Sequence, residues 1–214
     1  MKKRCFVMSL MVCNLVMGAS FVEIDCDGGT RFEYTIRNGC EDDKQQIEGL
    51  ITKIKTGHTG FSEELGYCRQ GISIASLVSN ALNKGGAVVV AEQGGDLIGV
   101  MLKIVLLPLC THVLSDGAVV VYPEYKKSLI LKNMLNHFCE NVKTKRADII
   151  RMETFVRASS VFVDLYKKCG FKEECRLEKR LKTRDNKDFE DEVVLVWKNT
   201  SFPHETKKTL TTIV

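Results

Sequence analysis

The 214 residues carry 31 basic and 27 acidic side chains, a formal net charge of +4, with 44% hydrophobic and 27% charged residues. That composition excludes a disordered chain, and so slight a basic bias excludes the concentrated positive face of a dedicated nucleic-acid binder. The length suits one domain with a sizeable core better than two.

At the start of the chain, Lys2-Lys3-Arg4 precede the apolar run "CFVMSLMVCNLVM", and Gly18-Ala19-Ser20 follow it. This is the layout of a secretory signal over residues 1–20. The alternative is that residues 1–30 form an apolar extension that packs on the domain. The run is shorter than the ~20 residues of a membrane span and Asn14 interrupts it, so membrane insertion is not expected beyond a signal role. Residues 31–200 are then the domain, and 201–214 a polar tail. The sequon Asn199-Thr200-Ser201 matters only if the chain is secreted.

"RFEYTIRNG" (31–39) reads as a first strand closed by Asn38-Gly39. The stretch "EDDKQQIEGLITKIK" follows as a helix, with Ile47, Leu50, Ile51 and Ile54 on one face and acids in its first turn, where the helix dipole favours them. After Gly57 and Gly60, the segment "FSEELGYCRQGISIASLVSNALN" predicts a helical region broken near Gly66 or Gly71. "AVVVAEQ" and "LIGVMLKIVLL" flank Gly94-Gly95-Asp96, so residues 87–106 predict an antiparallel hairpin turning at 93–96. A strand over 117–122 stops at Pro123, which cannot donate a ladder hydrogen bond, and a helix runs on to about Lys145. "ADIIRMETFV" is a buried strand, and "SSVFVDLYKK" a short helix with Gly170 placed just past its end. "FKEECRLEKRL" and "EDEVVLVWK" close as an antiparallel pair. Three antiparallel strands ahead of a β–α–β crossover predict a single α/β domain: one mixed central sheet with helices on both faces.

The nine cysteines are odd in number and contain no C-x-x-C pair. They predict free thiols in a reducing, cytoplasmic setting, with the secretory pathway as the alternative if the signal is real. The histidines at 58, 112, 137 and 204 lack ligand spacing, so no metal site is expected.

The chemistry gathers at residues 118–138. A helix that starts at a strand's carboxyl end aims backbone amides and a positive dipole end into the crevice, which suits a phosphate. Lys126 and Lys127 add charge there. Together "VVVYPEYKKSLILKNML" and "SSVFVDLYKKCGF" resemble the two core motifs of the GNAT N-acetyltransferases. The resemblance covers residues 31–198 and implies the acyl-CoA N-acyltransferase fold, with acetyl-CoA as co-substrate and a primary amine of a small molecule or peptide as acceptor. It implies a cofactor-binding set of Val119, Val120, Val121, Lys126, Lys127, Ser128, Leu129, Ile130, Leu131 and Ser159. Where the family has glycines that let the backbone approach a pyrophosphate, this chain has Leu129 and Leu131, and Ser159 replaces an asparagine. A backbone N–H near Val121 would polarise the thioester, and Tyr166 matches the family's general acid. "FSEELG" (61–66) is similar to a segment of the arylalkylamine N-acetyltransferase branch, where Glu63 matches the glutamate linked with deprotonating the amine and Glu64 replaces a proline. The lost glycines leave a second reading open, a catalytically degenerate module of the same fold that binds or scaffolds.

Overall fold

The computed structural model describes residues 18–24, 31–55, 62–64, 73–105, 112–122, 125, 129–146, 148–182 and 188–200. In chain order these are β1 (Gly18–Ile24), β2 (Arg31–Asn38), a 3-10 turn (Glu41–Asp43), α1 (Lys44–Lys55), β3 (Ser62–Glu64), α2 (Ile74–Asn83), β4 (Ala87–Gln93), β5 (Asp96–Ile104) and β6 (Val113–Val121). They continue as α3 (Ile130–Lys145), β7 (Arg151–Arg157), α4 (Phe162–Lys168), β8 (Lys172–Lys182) and β9 (Phe189–Lys198). The sheet runs β1-β2-β4-β5-β6-β7-β9-β8, with β3 added against β6, and only the β6–β7 pair is parallel.

Apolar periodicity divides the core into two layers. The helices α1 and α2 bury Ile47, Leu50, Ile51, Leu77 and Val78 on one face, against Val88, Val90, Val100, Leu102 and Val120. The other face carries α3 and α4, which cover Val89, Met101, Leu114, Val119, Val121 and Met152 with Met134, Phe138, Phe162 and Tyr166. Successive strand residues alternate between the two layers, as the period of two requires. This is the mixed sheet with helices on both faces that the sequence predicts.

The predicted hairpin is present. Gly94 and Gly95 turn it with φ of 60° and 92°, a left-handed backbone that glycine adopts without steric cost. Three boundaries differ. Residues 62–64 form a strand rather than part of a helix, because β6 offers them an edge at 119–121. The next described helix is α2, where Ser73 Oγ accepts from the Ser76 N–H at 3.1 Å. The sixth strand starts at Val113, four residues earlier than expected, because Ser115 and Asp116 pair with Ile104 and Lys103 and the register shift passes over Gly117. The last difference is at β7, which begins at Arg151, after a connection closed by Ile149 N–H on Arg146 O. Of the N-terminal segment, residues 18–24 pair with β2, and the ring of Phe21 stacks on Tyr34 at 5.4 Å. Residues 1–17, the tail beyond 200 and the last residue of the sequon lie outside the described residues.

Candidate active site

β6 and β7 pair only through Val113↔Arg151 and Leu114↔Met152. Beyond these, β7 stays with β9 as far as Arg157, and β6 stays with β5 as far as Val121. The two halves of the sheet therefore part, opening a V towards the strands' carboxyl ends. At its rim, Tyr122 N–H donates to Ile98 O at 3.0 Å. Amides alternate along a strand, so Val121 N–H points the other way, to the open side of the V. That is where an N–H for a thioester carbonyl was expected. Val119, Val120 and Val121 are all buried.

The edge beside Val121 is taken by β3, in the register Ser62↔Val121, Glu63↔Val120 and Glu64↔Val119. The structure thus brings Glu63, the predicted base, beside the predicted amide, although they are far apart in sequence. The Glu63 side chain is outside the described residues.

The third strand-end feature is the first turn of α3. Leu129 stands at the N-cap with no side-chain cap, and Asn133 N–H makes the first helical bond to Leu129 O at 2.9 Å. Ile130 is fully buried, and Leu131 is half-buried against the α3/α4 layer. Hence the helix begins at Ile130, and of the two leucines at glycine positions Leu131 packs against the core while Leu129 stands at the N-cap. Lys126, Lys127 and Ser128 lie outside the described residues. The Ser159 hydroxyl donates to the Glu190 carboxylate, which also accepts from Arg157, so it fastens the β7–α4 connection to β9.

Tyr166 is 1% exposed, held at the inner face of α4 with its ring edge-on to Phe171 at 5.0 Å. Its backbone is fixed by the helix end: Phe171 N–H donates to Tyr166 O and Gly170 N–H to Lys167 O, both at 3.1 Å, with Gly170 at φ 92°. This is a Schellman closure, which satisfies the last carbonyls of the helix. Above the ring, 5.5 Å from its centroid, is the ammonium of Lys103 from β5. Lys103 is fully buried and donates to Glu153 O at 3.2 Å. Glu153 is the first β7 residue beyond the last β6–β7 pair. Strands lie about 4.8 Å apart, so the lysine spans past β6 to bridge β5 and β7 where the V opens. The sequence did hold a signal for it, a lone lysine in the otherwise apolar "LIGVMLKIVLL". Nearby, burial pushes the Cys139 thiol up to about 12, and burial also raises the Cys169 thiol.

On the α1 side of the same strand end a cavity of about 590 Å³ opens between α1, the β4–β5 turn and the end of β6. Gln46, Lys53, Gln93, Asp96, Tyr122 and Tyr125 line its polar part. Lys53 Nζ donates to Tyr122 Oη at 2.6 Å, Tyr125 Oη to Gln93 Oε1, and Leu97 N–H to Gln46 Oε1 at 3.1 Å. This wall is not legible locally in the sequence, because its members come from three separated segments. Among the described residues, no three His, Cys, Asp or Glu side chains converge on a metal position, and no helix is long and apolar enough to cross a membrane.

No protein-family model matches the chain, and no curated protein matches it in sequence. Solved structures do match in shape. The ribosomal-protein-S18-alanine N-acetyltransferase of Escherichia coli superposes with a TM-score of 0.60 at 18% identity, over 81% of this chain and 98% of that one. An acetyltransferase of the GNAT family from Streptococcus pneumoniae gives 0.61 at 16% identity, over 77% and 99%. A ribosomal L7/L12 alpha-N-protein acetyltransferase, in complex with coenzyme A, gives 0.59 at 15% identity, over 78% and 95%. With its V between two parallel strands and a helix springing from the rim, the chain has the acyl-CoA N-acyltransferase fold.

Proposed function

We propose that the chain transfers an acetyl group from acetyl-CoA to a primary amine of a small molecule or peptide. The observation that carries this reading is the V between β6 and β7, with Val121 N–H aimed into its open side and Tyr166 packed at the base beside Lys103. The likeness to acetyltransferase structures, one of them holding coenzyme A, supports it at the level of the fold. The residues fit an extended acyl-thioester arm in place of β3: the β6 edge that β3 takes at 119–121 accepts strand-like pairing, and α3 starts beyond the end of that strand. Acetyl-CoA would supply the activated acyl group. Val121 N–H would then hydrogen-bond the oxyanion as it forms. Glu63, in register with Val120, would take the proton of an amine whose ordinary pKa is about 10, directly or through water. Tyr166 Oη would give its proton to the departing sulfur. The acceptor would enter from the α1 side, through the cavity lined by Tyr122. Within the amine class, Glu63 supports an arylalkylamine acceptor. The free thiols at Cys40, Cys139, Cys169 and Cys175 support a cytoplasmic setting.

Turnover of a panel of arylalkylamines and peptide amines tests the reading. Tyr166→Phe should lower the rate ~10²-fold, the low end of the range for one positioned acid, since a thiol of pKa about 8.5 leaves fairly well unaided. Acetyl-CoA affinity should stay unchanged. Glu63→Gln should show a defect that shrinks as pH rises towards the amine's own pKa. Wild-type turnover in Tyr166→Phe sinks the catalytic assignment. Leu129 and Leu131 at glycine positions favour a second reading, a degenerate binding module, which becomes the better one if the wild type acetylates nothing in the panel.

A further inference from the structure

We propose that Lys103 is the positioning residue that makes the buried Tyr166 usable as an acid, its ammonium acting as the fixed counter-charge for the phenolate left when the proton moves to sulfur. This rests on the acetyl-transfer reading and adds a residue to it. Phenols buried as deeply as Tyr166, 1% exposed, resist ionisation, because the charged form loses its water. Without compensation such a group holds its proton too tightly to pass it on. Compensation stands 5.5 Å from the ring centroid, in an ammonium that is itself fully buried. The placement is built rather than incidental. β5 and β6 shift register between Leu102 and Lys103, and Lys103 extends past β6 to donate to Glu153 O at 3.2 Å. A lysine costs much to bury, and an attractive ring face and a carbonyl are the groups that orient it here.

The charge balance is simple. As the amine nitrogen, its proton taken by Glu63, bonds to the acyl carbon, the carbon–sulfur bond breaks and its electron pair leaves on sulfur. Tyr166 Oη gives sulfur a proton and becomes phenolate, and solvent later returns that proton. Other titratable groups lie near the base. Cys139 on α3 and Cys169 after α4 are thiols raised by burial, hence neutral near pH 7. On β7 the Glu153 carboxylate is held by Arg151 at 2.6 Å, and on β6 Asp116 is the register partner of Lys103.

Two substitutions separate charge from packing. Lys103→Arg keeps the cation, whereas Lys103→Gln keeps a donor for Glu153 O and removes the charge. The direct readout is the near-ultraviolet absorbance of tyrosinate, titrated on the full chain and referenced to Tyr166→Phe so that the difference reports Tyr166. In Lys103→Gln the ionisation of Tyr166 should move up by about one pH unit or more, the shift expected when a neighbouring opposite charge is lost. In Lys103→Arg it should stay near wild type. In turnover, Lys103→Gln should lose about tenfold in kcat with little change in KM for acetyl-CoA, and the alkaline limb of its pH profile should move up. Unmoved Tyr166 ionisation in a folded Lys103→Gln overturns the proposal, and so does an equal kcat loss in Lys103→Arg. Should Lys103→Gln not fold, an upward shift in Lys103→Arg alone would also overturn it. Because the titration needs no turnover, it is read even if the chain proves unable to acetylate.

Discussion

Arg37 on β2 holds two carboxylates at once. Its Nη1 and Nη2 donate to the two oxygens of Asp43 at 2.7 and 2.8 Å, while Nε and Nη2 reach Glu92 on β4 at 2.9 and 2.7 Å. Asp43 also accepts from Cys40 N–H at 2.8 Å, so one residue closes the turn before α1 and ties it to the sheet. The paired guanidinium, followed by the Cys40 amide, holds the Asp43 carboxyl below its usual range against the opposing effect of burial. Asp43→Asn should therefore cost about 1–3 kcal/mol, the worth of charged hydrogen bonds with one partner partly wet. The sign with pH follows from linkage. A carboxyl depressed in the folded state contributes stability above its unfolded value of about 3.9, and loses it as pH falls through the folded value. Urea denaturation of wild type and variant at neutral pH and at about pH 3 should show the gap closing in acid. A gap that does not change with pH would rule out the charged pairing as its source. Nothing local in the sequence announces this network, since Arg37 and Glu92 are 55 residues apart and meet only because β2 and β4 pair in register.

At the scale of elements, α4 shows how a short helix can hold a reacting group steady. Seven residues are too few to be stable alone, so its end must be fixed by capping and packing. The cap is Gly170, whose left-handed φ lets Phe171 N–H reach back to Tyr166 O. A Cβ there would meet Trp197 at no closer than 3.7 Å, an ordinary contact, so the cost of a side chain is in the backbone alone. Gly170→Ala should cost about 1–2 kcal/mol, measured as a lower denaturation midpoint at constant slope. An unchanged midpoint would mean the closure does not restrain the helix. This element was legible because its signals are local: apolar spacing, lysines in the last turn and a glycine after it. The hairpin at 87–106 was legible for the same reason, as two apolar runs around Gly94-Gly95. The strand at 62–64 was not. "FSEELG" has no alternation of its own, and it is extended only because β6 leaves an edge free at 119–121. Lys103 was visible as an anomaly in a strand, but its target on β7 depends on the parallel crossover.

The whole molecule turns on one shared edge. The sheet divides after Leu114 and Met152, and that division creates both the V and the unpaired side of β6. An exposed strand edge invites another strand, and the chain supplies one from between its own first two helices. Because Tyr122 N–H and Ile98 O bond on the β5 side, Val121 and Val119 turn their N–H and C=O groups towards β3. Ser62↔Val121 is then a hydrogen-bonded pair, and the amide proposed for the oxyanion already faces Ser62. Acetyl-CoA and β3 cannot both use that amide. Ser62→Pro removes the Ser62 N–H from the pair and disfavours strand pairing there, yet β3 contributes only three residues to a nine-stranded sheet, so the fold should persist. If the edge is shared, losing one net hydrogen bond of about 0.5–1.5 kcal/mol should tighten acetyl-CoA binding by up to about tenfold. Calorimetric titration of wild type and Ser62→Pro with acetyl-CoA measures this. Turnover should not rise in parallel, because the same change loosens Glu63 from its register with Val120, and a base out of place slows the chemical step. Tighter binding with slower turnover is thus the expected pair of results, whereas unchanged affinity would mean the ligand does not compete with β3 for β6.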